Sequence, residues 1–481
     1  MKNALTKTCF YSALLASTVS MANTKTPNVV FILADQWRGN AIGYLNKEPV
    51  QTPNLDQLAQ EGIHFTQAVS GYPVSSPARG MLMTGRYPTK SGVPANCNSQ
   101  TAPYGVEMSK DSRCWSDVLA DHNFDLAYIG KWHLDAPYKP YIDTYNNRGK
   151  IAWNEYCPTD SRHGFSHWIA YGTYDYHLKP MYWKNEAPRD DYYYVDEWGP
   201  TYETNEGIKY IENKNGKYRD ASKPFALVLS YNPPHTGYDL VPDKYKVIYK
   251  DLDVEKAANK PNIPPKGTKH GDFFRKNLPD YYACMTGVDH EIGRVIQSLK
   301  EQGLYDNTIL VFTSDHGDQM GINDCIGKNI YYEASMHIPL ILSWPNKLKP
   351  RQDSLLISFE DLNPTLTSLV GLQTHIPKEV QTFDLSEQIL NGTAKEGLIQ
   401  PYFYVDFKDF KNGWRGLRTE RYTYAVHAKE GDIIETVLYD RLKDPYQLEN
   451  SNSKQKEVSN KLNKNLIEWL HQIDDPFITN F

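Results

Sequence analysis

Four stretches of the chain are apolar throughout and end abruptly in polar residues. Val29-Val30-Phe31-Ile32-Leu33-Ala34 runs into Asp35, Leu126 to Ile129 precedes Lys131-Trp132-His133, Phe225 to Leu229 precedes Pro234-His235, and Ile309 to Phe312 precedes Asp315-His316. Strands buried on both faces of a parallel sheet require such continuous runs rather than alternation. Between them the apolar period lengthens to that of a helix. Thr52 and Pro53 predict a capped start, Leu55, Leu58 and Ala59 share a face, and Gly62 ends the helix. Met285, Val288, Ile292, Val295, Ile296 and Leu299 predict a longer helix over 280–302, stopped by Gly303. Alternating strands and helices predict an α/β layer fold. The carboxyl ends of parallel strands lie along one edge, so the four polar termini predict one shared site there.

The rhythm breaks from about 135 to 218, where Tyr and Trp crowd together (Trp183, Tyr192-Tyr193-Tyr194, Trp198). This insertion reads as loops on the same edge. After 371 short alternating runs at Tyr402–Val405, Tyr422–Val426 and Thr436–Tyr439 precede a helical pattern of Val458, Leu462, Leu466 and Leu470. They predict a small antiparallel sheet with a closing helix. At the other end Lys2 and Lys7 precede an apolar stretch from Cys9 to Val19, followed by Ser20-Met21-Ala22, the form of a secretory signal. The expected organisation is a signal over 1–22, an α/β domain over 23–371 and an α+β subdomain over 372–481. No later run of about 18 apolar residues suggests a membrane anchor, so a periplasmic or secreted protein is expected.

Composition narrows the class further. With 52 Lys plus Arg against 58 Asp plus Glu, a net charge of -6 and no basic block, a nucleic-acid partner is not expected. The 35 Tyr and 10 Trp suit either a large core or the apolar faces of sugars. Without Cys9, the cysteines at 97, 114, 157, 284 and 325 lack the close pairing of a zinc ribbon and allow at most two disulfides.

The chemistry enters with Ser75-Ser76-Pro77-Ala78-Arg79-Gly80-Met81-Leu82-Met83-Thr84-Gly85-Arg86. This segment resembles the signature of the sulfatases of the alkaline-phosphatase superfamily: Cys or Ser, then x-Pro-x-Arg and a Leu-x-Thr-Gly-Arg end. The resemblance extends from Asn28 to the final helix and implies an alkaline-phosphatase-like fold, a mixed, mostly parallel sheet flanked by helices. It implies that Ser75 is oxidised to formylglycine (3-oxoalanine) beside Arg79, and Ser rather than Cys implies a maturase of the anaerobic type as partner. A hydrated aldehyde offers one hydroxyl to attack sulfur and a second whose deprotonation expels the sulfate, an exit plain serine lacks.

The same resemblance makes Asp35, Gln36, Asp315 and His316, with the modified Ser75, the ligands of a divalent metal. Calcium is the family's usual ion and suits oxygen ligands. An imidazole and an amide at positions where many relatives have Asn and Asp make Mn2+ or another divalent metal an alternative. Lys131, His133, His235 and Lys328 match the remaining family positions: the lysines to hold sulfate oxygens, His235 to protonate the leaving alcohol, His133 to deprotonate the formylglycine hydrate. Trp37, Arg38 and the aromatic insertion are expected to recognise the substrate, a sulfated carbohydrate such as an algal polysaccharide or its oligosaccharides. Two alternatives are a phosphonate monoester or phosphodiester hydrolase built on the same centre, and a silent sulfated-glycan binder with Ser75 left unoxidised.

Overall fold

The computed structural model describes residues 25–395 and 397–481, and the signal expected at 1–22 lies outside the described residues. Ten strands form the larger sheet: β1 (Asn28–Ala34), β2 (Ile63–Val69), β3 (Asp125–Lys131), β4 (His167–Tyr171), β5 (Met181–Lys184), β6 (Tyr193–Tyr194), β7 (Phe225–Tyr231), β8 (Thr308–Thr313), β9 (Leu340–Ser343) and β10 (Arg351–Ser358). Their order is β10-β2-β9-β8-β1-β7-β3-β4-β5-β6. The four apolar runs are β8, β1, β7 and β3, side by side and parallel, with Phe31 opposite both Val228 and Val311. Their carboxyl ends therefore share one edge. The sheet is mixed because β9 runs antiparallel between β8 and β2, and beyond β4 come β5, antiparallel to it, and β6, antiparallel to β5.

Alternate residues of β1 feed two cores. Val30 and Ile32 pack with Leu55, Leu58, Met285 and Ile292 on one face, while Val29, Phe31 and Leu33 pack with Leu82, Met83 and Leu366 on the other. Both faces are covered by helices, which explains why the run has no polar alternation. The second sheet is antiparallel, β11 (Gln400–Val405), β12 (Gly413–Arg418), β13 (Tyr422–Lys429) and β14 (Asp432–Asp440), in sequential order. Phe403, Leu466 and Trp469 from this sheet and its helix Lys456–Gln472 bury Tyr72, Val74, Met81 and Tyr87. The second unit thus packs on the segment that carries Ser75.

Several expectations are corrected. The long helix begins at Lys269, eleven residues before the predicted start, with Pro279 inside it. Thr268 caps it by accepting the Gly271 N–H, and burial of Phe274 and Leu278 holds the turn before the proline. Thr52 does not cap its helix. Its hydroxyl instead accepts the Gly43 N–H, and Asp289 of the long helix takes the Asn54 and Leu55 N–H groups at 3.2 and 2.7 Å. The aromatic insertion is not simply loops: it contributes β4, parallel to β3, and the helix Gly199–Glu212. Its rings mostly pack on one another, with Tyr182, Trp183 and Trp198 buried. Cys97, Cys114, Cys157, Cys284 and Cys325 are all free thiols. None of the described helices is long and apolar enough to cross a membrane.

Candidate active site

Local rules explain the conformation of the Ser75 segment. Val74 is extended, and Ser75 opens a helix that runs to Thr84. Pro77 falls in the first turn, where a missing N–H costs nothing. Gly85, at φ 65°, closes the helix in the left-handed region by giving its N–H to Met81 O. The four-residue spacing from Ser75 to Arg79 is one turn, which puts both side chains on one face. The hydroxyl of Ser75 also lies at the positive end of the helix, a place that favours anions.

Arg79 then ties four strand ends together. Its Nε donates to Asp315 Oδ2 at 3.0 Å, Nη2 to Asp35 Oδ2 at 3.2 Å, and Nη1 to the carbonyl of Lys131 and the hydroxyl of Ser230, both at 2.8 Å. Ser75 Oγ lies 3.3 Å from Asp35 Oδ2, 3.0 Å from His316 Nε2 and 3.3 Å from Lys328 Nζ. Lys131 Nζ reaches Asp35 Oδ2 at 2.6 Å and Asn232 Oδ1 at 3.0 Å. Lys328 Nζ also donates to Gln36 Oε1 at 3.0 Å. Gln36 just past β1 and His133 just past β3 hold φ of 69° and 57°, a region non-glycine residues rarely adopt and which clusters at functional sites.

Burial sets the charges of this centre. It would raise the Asp35 carboxyl, but Lys131, His235, Lys328 and His316 hold it well below the usual carboxylate range. Burial pushes the His316 imidazole down to about 4 against the pull of Asp315, so it is neutral at pH 7. Its Nδ1 lies 2.9 Å from the Gly317 carbonyl, which can only accept, so Nδ1 carries the proton and Nε2 presents a lone pair to the centre. The same reasoning applies to His133. Its Nε2 donates to Cys97 O at 3.2 Å, and Nδ1 is buried without a partner. Burial, reinforced by Lys131 and Arg79, drives the His133 imidazole well below its ordinary value.

Ligand atoms of Asp35, Asp315 and His316 converge within 4.8 Å of one another. Asp35 Oδ1 is buried with no hydrogen-bond partner. Two carboxylates, an orphaned oxygen and an imidazole lone pair fit a divalent cation, and Gln36 adds its oxygen because its Nε2 is held by Asp318 Oδ2 at 2.8 Å. A second cluster, Cys114, Asp117 and His163, is a helix start rather than an equivalent site: Asp117 Oδ2 accepts the Cys114 N–H at 2.8 Å and faces His163 Nδ1 at 3.1 Å.

The structure brings Asp35, Gln36, Ser75, Arg79, Lys131, Asp315, His316 and Lys328 into direct contact. His133 and His235 stand beside them, close enough for Asp35 to feel the charge of His235. Trp37 and Arg38 do not join this set. The Trp37 ring is fully buried edge-on to Phe312 with its N–H given to Ala41 O, so it has no face for a sugar. Arg38 is consumed by a two-pronged pair with Glu48 at 2.7 and 3.1 Å and lies over the Tyr281 ring.

Sequence reasoning missed three polar residues around the centre. Asp175 Oδ1 faces His235 Nδ1 at 3.2 Å and accepts Asn232 Nδ2 at 3.0 Å. Asp318 accepts both Gln36 and the Tyr238 hydroxyl, the latter at 2.5 Å. Asp318 stands three residues after Asp315, and Asn232 follows β7 directly, so both were within reach of a strand-end argument. Asp175 carries no such signal. It sits in the aromatic insertion and reaches the centre only through the fold.

The chain is similar to known proteins over most of its length. Residues 27–372 match the family described as Sulfatase, and residues 321–472 match the one described as N-sulphoglucosamine sulphohydrolase, C-terminal. The chain is 36% identical to the endo-4-O-sulfatase of Bacteroides thetaiotaomicron, over 94% of this chain and 93% of that protein. It is 33% identical to the ulvan-active sulfatase of Formosa agariphila, over 92% and 81% of the two. The crystal structure of a Bacteroides fragilis protein assigned to the sulfatases superposes with a TM-score of 0.92 at 60% identity, covering 95% of this chain and 97% of the other. The chain belongs to the sulfatase family.

Proposed function

We propose that the chain hydrolyses sulfate esters of an anionic polysaccharide or its oligosaccharides, with Ser75, as formylglycine, supplying the nucleophile. The observation that carries this reading is the convergence on Ser75 Oγ of Asp35, His316 and Lys328 within 3.3 Å, at a helix N-terminus. Similarity to an endo-4-O-sulfatase and an ulvan-active sulfatase supports a polymer as substrate. Export directed by residues 1–22 suits a polymer too large to enter a cell.

In this reading the Ser75 oxygen stands where one hydroxyl of the formylglycine hydrate would lie. A divalent cation held by Asp35, Gln36, Asp315 and His316 would supply the positive charge that neutralises sulfate oxygens. The oxygens of Asp35 and Asp315 favour calcium, while the His316 lone pair favours manganese. Lys131 and Lys328 hold the sulfate and meet charge as it develops. His133, neutral and with an unpartnered Nδ1, takes the proton from the hydrate as sulfate leaves. His235 gives its proton to the leaving sugar oxygen. Asp175 is a positioning residue: it holds Nδ1–H of His235 and leaves Nε2 for the ester. Ser75 is 1% exposed, so a serine-accepting maturase meets it before the helix packs.

Peptide mass spectrometry across Ser75, on chain made with and without an anaerobic maturase, tests the proposal together with sulfate release from chondroitin 4-sulfate and ulvan. Loss of two hydrogens at Ser75 accompanied by sulfate release is the expected result. Release from chain whose Ser75 is unmodified would overturn the formylglycine route. Full conversion without release from any sulfated glycan would overturn the substrate class.

A further inference from the structure

A cleft of about 620 Å³ separates the catalytic edge from the second sheet. We infer that it is a subsite for an anionic sugar residue next to the one bearing the reacting ester, an inference that rests on the proposed function for its substrate class. Val74 and Asn329 line the cleft, each one residue from a member of the centre, Ser75 and Lys328. A chain of sugars that places its sulfate at Ser75 therefore meets this cleft as it leaves the site.

The lining has the three chemistries a sulfated or carboxylated sugar requires. Trp153 is half-buried, its ring 6.3 Å from that of His133, and presents an aromatic face beside the reaction centre. Polar groups for hydroxyls come next. Asn96 Oδ1 is fixed by the Ser76 N–H at 3.1 Å, which leaves its NH2 group to donate, and Asn329 Oδ1 is buried without a hydrogen-bond partner. The opposite wall carries Lys408 and Lys429, both exposed and neither in an ion pair among the described residues. Lys408 Nζ rests within 5.8 Å of the Tyr104 and Phe407 rings, and the nearby Asp406 is turned to the Lys408 N–H at 2.9 Å. Glu430 shares the rim, so the cleft is not a general anion trap. It selects by placement, with charge on one wall and a ring and amides on the other.

The cavity around Tyr422, Asn465, Arg421 and Lys461 also offers a ring, an amide and cations, but none of its lining residues belongs to the centre or adjoins it in sequence. The one around Arg38 and Glu48 is smaller, about 100 Å³, and that ion pair is complete. The open rim of the sheet-to-sheet cleft also lets a chain continue, which fits attack within a polymer rather than only at its end.

The test uses the full chain, the double variant Lys408→Ala/Lys429→Ala and the single variant Trp153→Ala. With matured protein, the ratio of kcat/KM on chondroitin 4-sulfate or ulvan hexasaccharides to that on 4-nitrophenyl sulfate should fall about tenfold in the double variant, carried by KM. Trp153→Ala should lower the same ratio by a similar factor. With unmodified Ser75, calorimetry should show hexasaccharide binding that weakens about tenfold in the double variant, whether or not turnover occurs. Hexasaccharides bound no better than disaccharides, an unchanged ratio in both variants, or no binding of any probe would overturn the subsite. Binding that depends on the two lysines without sulfate release from any glycan would sustain the subsite and overturn the substrate class of the proposed function.

Discussion

The Arg415–Asp475 pair of the second sheet and the Asp35 cluster of the catalytic edge are both buried ion pairs, built from the same kinds of side chain. Arg415 meets Asp475 through Nε at 2.8 Å and Nη2 at 3.1 Å, both side chains fully buried. The remaining N–H groups go to the carbonyls of Tyr404, Trp414 and Phe410, and Asp475 Oδ1 also accepts the Phe477 N–H. Nothing is left over. At the catalytic edge one carboxylate, Asp35, is shared by Arg79 and Lys131, with Lys328 and His316 close by, and its Oδ1 still has no hydrogen bond. Several cations around one anion, with an oxygen unsatisfied, cost stability that nothing within the fold returns. In the proposed function a cation would meet the carboxylates of this cluster and an anion its lysines. Of these two buried charge clusters, the one whose groups are all satisfied is structural, and the one that leaves a carboxylate oxygen over lies at the candidate active site.

The largest effects should separate the two regions. Asp315→Asn keeps the shape of a side chain that Arg79 and the Gln36 N–H hold at 3.0 and 3.3 Å. It should lower sulfate release by about 10³-fold and remove bound divalent metal by elemental analysis, while the melting temperature stays within a few degrees. Arg415→Ala should do the reverse. It leaves Asp475 buried and alone, which should cost about 3–5 kcal/mol in denaturant unfolding, with turnover per folded molecule intact. If Asp315→Asn unfolds the chain and Arg415→Ala does not, the distinction between complete and incomplete pairs fails.

A smaller effect sharpens the boundary of the functional region. Asp175→Ala should slow release from sugar sulfates about 10²-fold and from 4-nitrophenyl sulfate far less, because only a poor leaving alcohol needs the proton from His235. The pattern should match that of His235→Ala, and the double variant should be no worse than His235→Ala alone. Equal losses on both esters would leave Asp175 as a loop brace for Asn146 and Asn232, which it also binds.

What the sequence showed follows the same line. The four apolar runs were legible because burial on both faces removes alternation, and the parallel-strand rule gave their polar ends one shared edge, while their adjacency came only with the structure. The Ser75 segment was legible through its resemblance to the sulfatase signature, and the helix that Pro77 opens and Gly85 closes came only with the structure. Trp37 and Arg38 misled because they follow Asp35 and Gln36 in sequence, yet the turn after β1 sends them into the core, to Phe312 and Glu48. The insertion misled for a related reason: rings that look like a sugar platform mostly satisfy one another, as Tyr182 does with Tyr171 and Tyr202. β12 escaped notice because Gly413-Trp414-Arg415-Gly416-Leu417-Arg418 buries two arginines where the pattern demands apolar residues. Asp175 was out of reach, since only tertiary contact gives it a role.

The smallest expected effect tests the comparison where it is most exposed. Glu360, just past β10, is fully buried beneath the loop that leads to Ser75; its Oε2 accepts the Gly71 N–H at 3.3 Å, and Oε1 has no partner. Burial, with Asp361 beside it, pushes its carboxyl up from the ordinary 4.5 to about 8. A raised folded-state value means that the native chain binds the proton more tightly than the unfolded chain. The stability Glu360 contributes is therefore complete below about pH 4.5 and lost as pH rises through about 8. Glu360→Gln cannot ionise, so its melting temperature should decline less than that of the parent between pH 5 and 8, by about 2–4 °C. A protonated acid fits this reading, because a neutral carboxyl needs no cation and none is paired with Glu360 among the described residues. Parallel declines would mean that Glu360 is an anion in both states. An unpaired buried carboxylate would then be tolerable in this fold without a function, and the orphaned oxygen of Asp35 would lose its meaning as a mark of chemistry.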